Sequence, residues 1–197
     1  MSSSESAFDL VAIGASAGGF NALTSLLPSL RPGFPAAVVV VLHLPPERPS
    51  GAGEALGRTC ALPVREAFDK EPIEPGNVYL APPDYHLLIE PERVFSLSID
   101  EPVHFSRPSI DVMLESAAYA YRDRMVGAIL TGASADGAAG LERVRALGGT
   151  TWVQSPETAA VATMPRAAID RARPDRILTL EEMAEGLERL CHGNRAR

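Results

Sequence analysis

Three compact apolar runs give the chain its rhythm: DLVAI at 9–13, AAVVVVL at 36–42 and MVGAIL at 125–130. Runs this short and this continuously apolar predict strands buried on both faces, as in a parallel sheet covered by helices. Between the first two, Phe20, Leu23, Leu26, Leu27 and Leu30 recur at helical spacing, and Arg31-Pro32-Gly33 stops them. Strand, helix and strand in this order predict a right-handed βαβ unit.

The middle of the chain has another texture. Short strand candidates at 78–81, 86–90 and 94–99 are separated by Pro82-Pro83-Asp84 and Pro91-Glu92-Arg93, which predicts an antiparallel meander or hairpin attached to the sheet. Pro108 then opens a helix through Ile110, Met113, Leu114, Ala117 and Tyr121. A helix over 137–147 ends at Gly148-Gly149, a fitting C-terminal stop. A strand at 150–154, a short helix at 164–171 and a strand at 177–180 follow. Thr179 and Glu182 have capping-box spacing ahead of a last amphipathic helix at 181–191, with Met183, Leu187 and Leu190 on one face. The expected fold is α/β, with helices on both sides of a mostly parallel sheet. Residues 9–192 are read as one domain, between a tail at 1–8 and a tail at 193–197.

Charge narrows the function. Lys and Arg total 18 against 25 Asp and Glu, a formal charge of −7, and Lys70 is the one lysine. A nucleic-acid or anionic-membrane binder needs a basic face, and no Lys/Arg run supplies one. The longest apolar run has seven residues, too few to span a membrane. The Ser-rich, acidic N-terminus lacks the basic and apolar regions of a secretory signal. Cys60 and Cys191 form no motif and read as reduced thiols in a cytoplasmic protein. His43, His86, His104 and His192 are scattered without metal-ligand spacing, so no metal site is expected.

Ligands of open α/β sheets bind beyond the carboxyl ends of the strands. Three polar residues stand at such positions. Ser16 lies in Gly14-Ala15-Ser16-Ala17-Gly18-Gly19, a G-x-S-x-G between strand and helix. It reads as a nucleophile elbow, an anion-binding turn or a plain structural turn. His43 directly follows the valine-rich strand, and is either a general base or a solvated loop histidine. Asp136 follows the third strand and precedes a helix, where an N-cap is the ordinary role. Together they form a Ser…His…Asp set on one sheet edge. In such a triad the histidine takes the serine proton and the aspartate orients the imidazole and stabilises its charged form.

A resemblance sharpens this. VAIGASAGGFNAL, VVVLHLPP, GNVYLAPPDYHLLI, SRPSIDVML, GAILTGASADGAAGL and TMPRAAI, in this order from about Leu10 to Leu190, resemble the catalytic domain of CheB-type protein-glutamate methylesterases of bacterial chemotaxis. The resemblance implies a doubly wound three-layer α/β/α sandwich. It implies a cofactor-free serine esterase that hydrolyses glutamate methyl esters on the cytoplasmic helices of chemoreceptors and releases methanol, with receptor glutamine deamidation as a further activity. The family's serine falls on Ser16, its histidine on His43 and its aspartate on Asp136.

Two positions depart from the family pattern. Ala17 stands where threonine usually follows the serine, and Ala133 where methionine usually follows the first glycine of the aspartate loop. Ala17 and Ala133 remain oxyanion candidates, because a backbone N–H serves whatever the side chain. The family's usual receiver domain has no room before the first strand, which implies either constitutive activity or control by a separate regulatory protein. His86, Arg107 and Arg166 match recurrent family positions. His86 reads as a rim or a packing residue, and the two arginines as cleft-lining groups or members of helix-end ion pairs. Trp152 is expected in the core. The rival readings are a catalytically weak binding module on this fold, a serine esterase or amidase with another substrate, and, more distantly, a nucleotide site at the glycine loop.

Overall fold

The computed structural model describes residues 8–43 and 51–190. Of the expected tail at 1–8, residues 1–7 lie outside the described residues, as do the expected tail at 193–197, Cys191 and His192. Phe8, assigned to the tail, is instead buried in the core.

In chain order the elements are β1 (Leu10–Ala15), α1 (Gly19–Leu26), β2 (Ala37–Leu42), α2 (Ala52–Gly57), β3 (Val64–Glu66), β4 (Val78–Leu80), β5 (His86–Ile89), β6 (Phe95–Ser98), α3 (Ile110–Tyr121), β7 (Met125–Ile129), α4 (Ala138–Ala146), β8 (Thr150–Gln154), α5 (Thr163–Ala172), β9 (Arg176–Leu178) and α6 (Leu180–Leu190). Seven strands form one parallel sheet in the order β3-β4-β2-β1-β7-β8-β9. β5 and β6 form a separate antiparallel hairpin.

The apolar runs become central strands because each residue can be buried whichever way it points. Successive side chains alternate between sheet faces. Val11, Ile13, Val38 and Val40 pack under α1, α2 and α6, with Leu23, Leu26, Leu56, Met183 and Leu187. Leu10, Ala12, Val39 and Val41 pack under α3, α4, α5 and the hairpin, with Met113, Leu141, Ala168 and Leu87. The result is three layers with two cores. Each fully buried valine of β2 contributes about 1.5 kcal/mol of apolar transfer.

The middle segment departs from the expected meander. Val78–Leu80 pairs in parallel with β2 and β3 inside the main sheet, while the hairpin holds only β5 and β6. The reason is burial on both faces: Val78, Tyr79 and Leu80 are all buried, like the other parallel strands. α2 and the edge strand β3 have no counterpart in the sequence reading, being too short to display a period.

Elsewhere the local signals hold. The Thr179 N–H donates to Glu182 Oε2 at 2.8 Å, and the Glu182 N–H donates to Thr179 Oγ1 at 3.2 Å, a reciprocal cap on α6. Gly148 at φ 91° and Gly149 end α4 through N–H bonds to the carbonyls of Arg145 and Val144. Trp152 is buried against the face covered by α6. Among the described residues, no helix is long and apolar enough to cross a membrane.

Candidate active site

The chain runs from β1 outward through β2, then crosses to β7 on the other side of β1. That reversal makes the carboxyl ends of β1, β2 and β7 the switch point, where a crevice opens. Ser16 follows β1, His43 follows β2 and Asp136 lies in the turn after β7.

Backbone hydrogen bonds hold these three strand ends together. Ala15 is in register with Leu42, and the His43 N–H donates to Ala15 O at 2.9 Å. Ser16 and His43 are thus the next positions beyond paired strand residues. On the other side the Ser16 N–H donates to Thr131 O at 3.0 Å. Thr131 is a latch: its Oγ1 donates to Ala17 O at 2.9 Å and accepts the Val161 N–H at 2.9 Å, and its own N–H donates to Gln154 Oε1. The residue after Ser16 is thereby tied to the β7 turn.

His43 and Asp136 meet. His43 Nε2 lies 3.0 Å from Asp136 Oδ2, and the Asp136 side chain is fully buried. The two are in close polar contact, without the N–H alignment of a hydrogen bond. Ser16 is half-buried, and its hydroxyl makes no hydrogen bond among the described residues. The serine–histidine bond is therefore not formed in this geometry, although such bonds commonly tighten only in the substrate complex.

Asp136 does not cap the helix that follows it. Its carboxylate turns to the start of α3, accepting the Ser109 hydroxyl at 2.9 Å, the Ile110 N–H at 2.7 Å and the Asp111 N–H at 2.9 Å. Asp111 does the reverse: its Oδ1 accepts the N–H groups of Gly137 and Gly140, at 2.9 and 2.7 Å, at the start of α4. Burial pushes the Asp136 carboxyl up, but the His43 contact, the two amides and the Ser109 hydroxyl outweigh it and hold it below its ordinary value. Asp111 is raised, first by burial and then by the neighbouring Asp136 charge, against the amides and His104, whose Nε2 is 3.3 Å away.

Close backbone approach makes this geometry reachable. A Cβ on Gly14 would lie 2.3 Å from Ile110 Cγ2, so only glycine in β1 lets the start of α3 settle over the site. Gly137, at φ 96°, turns the chain from Asp136 into α4 in a conformation that disfavours other residues.

The remaining candidates find definite places. Ala17 and Ala133 are exposed, and neither amide has an acceptor among the described residues, as an oxyanion donor requires. His86 is buried rather than on a rim. Among the described residues Arg107 forms no helix-end ion pair; its Nη1 donates to the carbonyls of Ile99 and Asp100. Arg166 is exposed at the start of α5. A wide depression among Glu142, Arg145, Arg171 and Arg173 lies at the opposite end of the sheet, beside Thr150 and Asp175 at the amino ends of β8 and β9.

Sequence reasoning missed Ser109, Asp111 and Thr131. Ser109 stands immediately before an apolar-periodic helix, the position that signals an N-cap. Thr131 gives no comparable signal.

These features define an α/β protein with a serine, a histidine and a buried carboxylate at its switch point. The CheB methylesterase family model matches residues 11–187, and the chain belongs to that family. It is 46% identical over 187 residues to the putative protein-glutamate methylesterase/protein-glutamine glutaminase of Leptospira interrogans serovar Lai, covering 95% of this chain and 97% of that one. It is 36% identical over 181 residues to the protein-glutamate methylesterase/protein-glutamine glutaminase of Thermotoga maritima, covering 90% of this chain and 53% of that one. The chain therefore spans nearly all of the first relative and about half of the second. The crystal structure of the Thermotoga maritima CheB methylesterase catalytic domain superposes with a TM-score of 0.88 at 35% identity, over 93% of this chain and 98% of that one.

Proposed function

We propose that this protein is a serine esterase that hydrolyses γ-glutamyl methyl esters on the cytoplasmic helices of chemoreceptors. The observation that carries the reading is the 3.0 Å contact between His43 and the buried Asp136 at the strand ends flanking Ser16. Family membership supplies the substrate class.

Ser16 Oγ attacks the ester carbonyl while His43 accepts its proton. With Nε2 facing Asp136, Nδ1 is the ring nitrogen left for that transfer. The tetrahedral oxyanion is held by the Ala17 and Ala133 amides. Collapse expels methanol, which takes the proton from His43. Water, activated by the same imidazole, then hydrolyses the acyl-enzyme to the free glutamate and restores Ser16. Asp136 stays ionised throughout and stabilises the imidazolium.

A second substrate uses the same route. Relatives are named protein-glutamine glutaminases as well as methylesterases. A glutamine amide in place of the ester would give the corresponding amino-bearing tetrahedral intermediate, which expels ammonia and leaves the same acyl-enzyme.

The test is methanol release from methylated chemoreceptor membranes by the wild type and by Ser16→Ala. Release that disappears with Ser16 supports the reading. Release unchanged in Ser16→Ala removes Ser16 as nucleophile. No release by a folded wild type favours another ester or amide, or a binding role.

A further inference from the structure

His86 is 2% exposed, yet it carries a polar ring with two partners. The Ser109 N–H donates to its Nδ1 at 3.1 Å. Its Nε2 lies 3.1 Å from the Glu101 carbonyl oxygen. An amide N–H can only donate and a carbonyl can only accept. The ring is therefore the neutral form, with hydrogen on Nε2 and a bare Nδ1.

That polarity reaches the site. Ser109 is the N-cap of α3, and its Oγ donates to Asp136 Oδ1. The next two amides donate to the same carboxylate, one to each oxygen. Asp136 in turn contacts His43. From the Glu101 carbonyl to His43, a chain of contacts runs through His86, Ser109 and Asp136 without a gap.

We propose that His86 is a positioning residue for the esterase reaction, setting the N-cap of α3 so that Ser109 and the amides behind it aim Asp136 at His43. The inference rests on the function proposed above. Without His86, the buried Ser109 N–H loses its acceptor. An unsatisfied buried donor is costly, and the peptide reorients to recover a partner. Ser109 Oγ is two bonds from that peptide's Cα, so the reorientation displaces the group that grips Asp136. A displacement of about 1 Å at a reacting group can slow turnover on the order of 100-fold.

The experiment compares kcat and KM for methanol release from methylated receptor membranes in the wild type, His86→Leu and His86→Gln. Leucine fills the space but neither donates nor accepts. Glutamine keeps one donor and one acceptor. The expected result for His86→Leu is a kcat about 10- to 100-fold lower with KM unchanged. His86→Gln recovers most of that loss. In a Ser109→Ala background, His86→Leu costs much less than alone, because both act through one carboxylate.

A kcat for His86→Leu within about 2-fold of wild type overturns the inference, since misaimed groups cost far more. So does a rise in KM at constant kcat, or a glutamine variant as slow as the leucine one. Should His86→Leu fail to fold, the nitrogen-15 spectrum of the wild type decides. A bare Nδ1 and a protonated Nε2 on His86 throughout the active pH range support the inference, and any other state overturns it. A wild type without Ser16-dependent methanol release overturns the esterase reading and this inference together. An active wild type with a fast His86→Leu overturns this inference alone.

Discussion

Asp136 and Asp111 exchange helices: each carboxylate sits on one helix's side of the site and caps the first turn of the other's. Asp136, ahead of α4, accepts from the start of α3, and Asp111, in the first turn of α3, accepts from Gly137 and Gly140 at the start of α4. Anions at helix amino ends are stabilised by free N–H groups and the helix dipole. The exchange locks two helices, and with them the carboxylate that faces His43, to one another.

A consequence is that Asp136 carries stability as well as chemistry. Asp136→Asn keeps the shape but replaces one acceptor oxygen by an NH2 group facing donors. Turnover is expected to fall about 10⁴-fold, as for the orienting carboxylate of other triads. Stability is expected to fall by about 2–4 kcal/mol from the loss of charge-assisted bonds. Urea denaturation beside turnover of the folded fraction measures both. A variant as stable as wild type would show that the three α3 donors find equal partners elsewhere.

Acid should expose a second carboxylate. The side-chain bond from Arg124, opposed by burial and helped by the charges of Arg124 and Arg93, holds Asp9 below its ordinary value of 3.8. Arg124 reaches it at 2.6 and 2.7 Å and Arg93 at 3.0 Å. A depressed carboxyl binds fewer protons folded than unfolded, so its contribution is present at neutral pH and is lost as pH falls through the folded value. Asp9→Asn is therefore expected to be less stable than wild type above about pH 5, with the difference shrinking in stronger acid. Chemical denaturation at a series of pH values checks this. A difference that stays constant would place the effect in packing rather than charge.

The approach of α3 to β1 depends on the bare Cα of Gly14. Gly14→Ala puts a methyl group 2.3 Å from Ile110 Cγ2. The expected cost is about 1–3 kcal/mol, with a fall in turnover as the start of α3 shifts. Ile110→Ala added to it should make the pair less harmful than the sum of the two. Additive losses would mean that the clash is relieved elsewhere.

The alanine after the nucleophile tests how the oxyanion is held. If the Ala17 amide is the donor, Ala17→Thr should change kcat by less than about 3-fold, since the N–H is retained, whereas losing a donor costs about 100- to 1000-fold. A rise of about tenfold or more on restoring threonine would assign part of the work to its hydroxyl. Steady-state methanol release gives the answer directly.

Much of this molecule was legible in its residues. The apolar runs at β1, β2 and β7 specified double-sided burial, and the Thr179–Glu182 spacing specified the cap of α6, because both signals are local. Local pattern alone puts Val78–Leu80 in the meander, because three residues carry too little of it to choose a neighbour, whereas the strand pairs in parallel within the main sheet. The capping reading of Asp136 was right in kind and wrong in partner. Sequence adjacency pointed to α4, while the chain's return past β1 brought α3 nearer.

The sequence by itself determined which segments are buried and which polar residues end the central strands, since periodicity and turn chemistry act over a few residues. The tertiary structure alone decided that Asp136 meets His43, that Asp111 and Asp136 trade helices, and that His86 reaches Ser109. Those contacts join residues 23 to 93 positions apart, and only the order of strands in the sheet and the close approach permitted at Gly14 bring them within hydrogen-bond range.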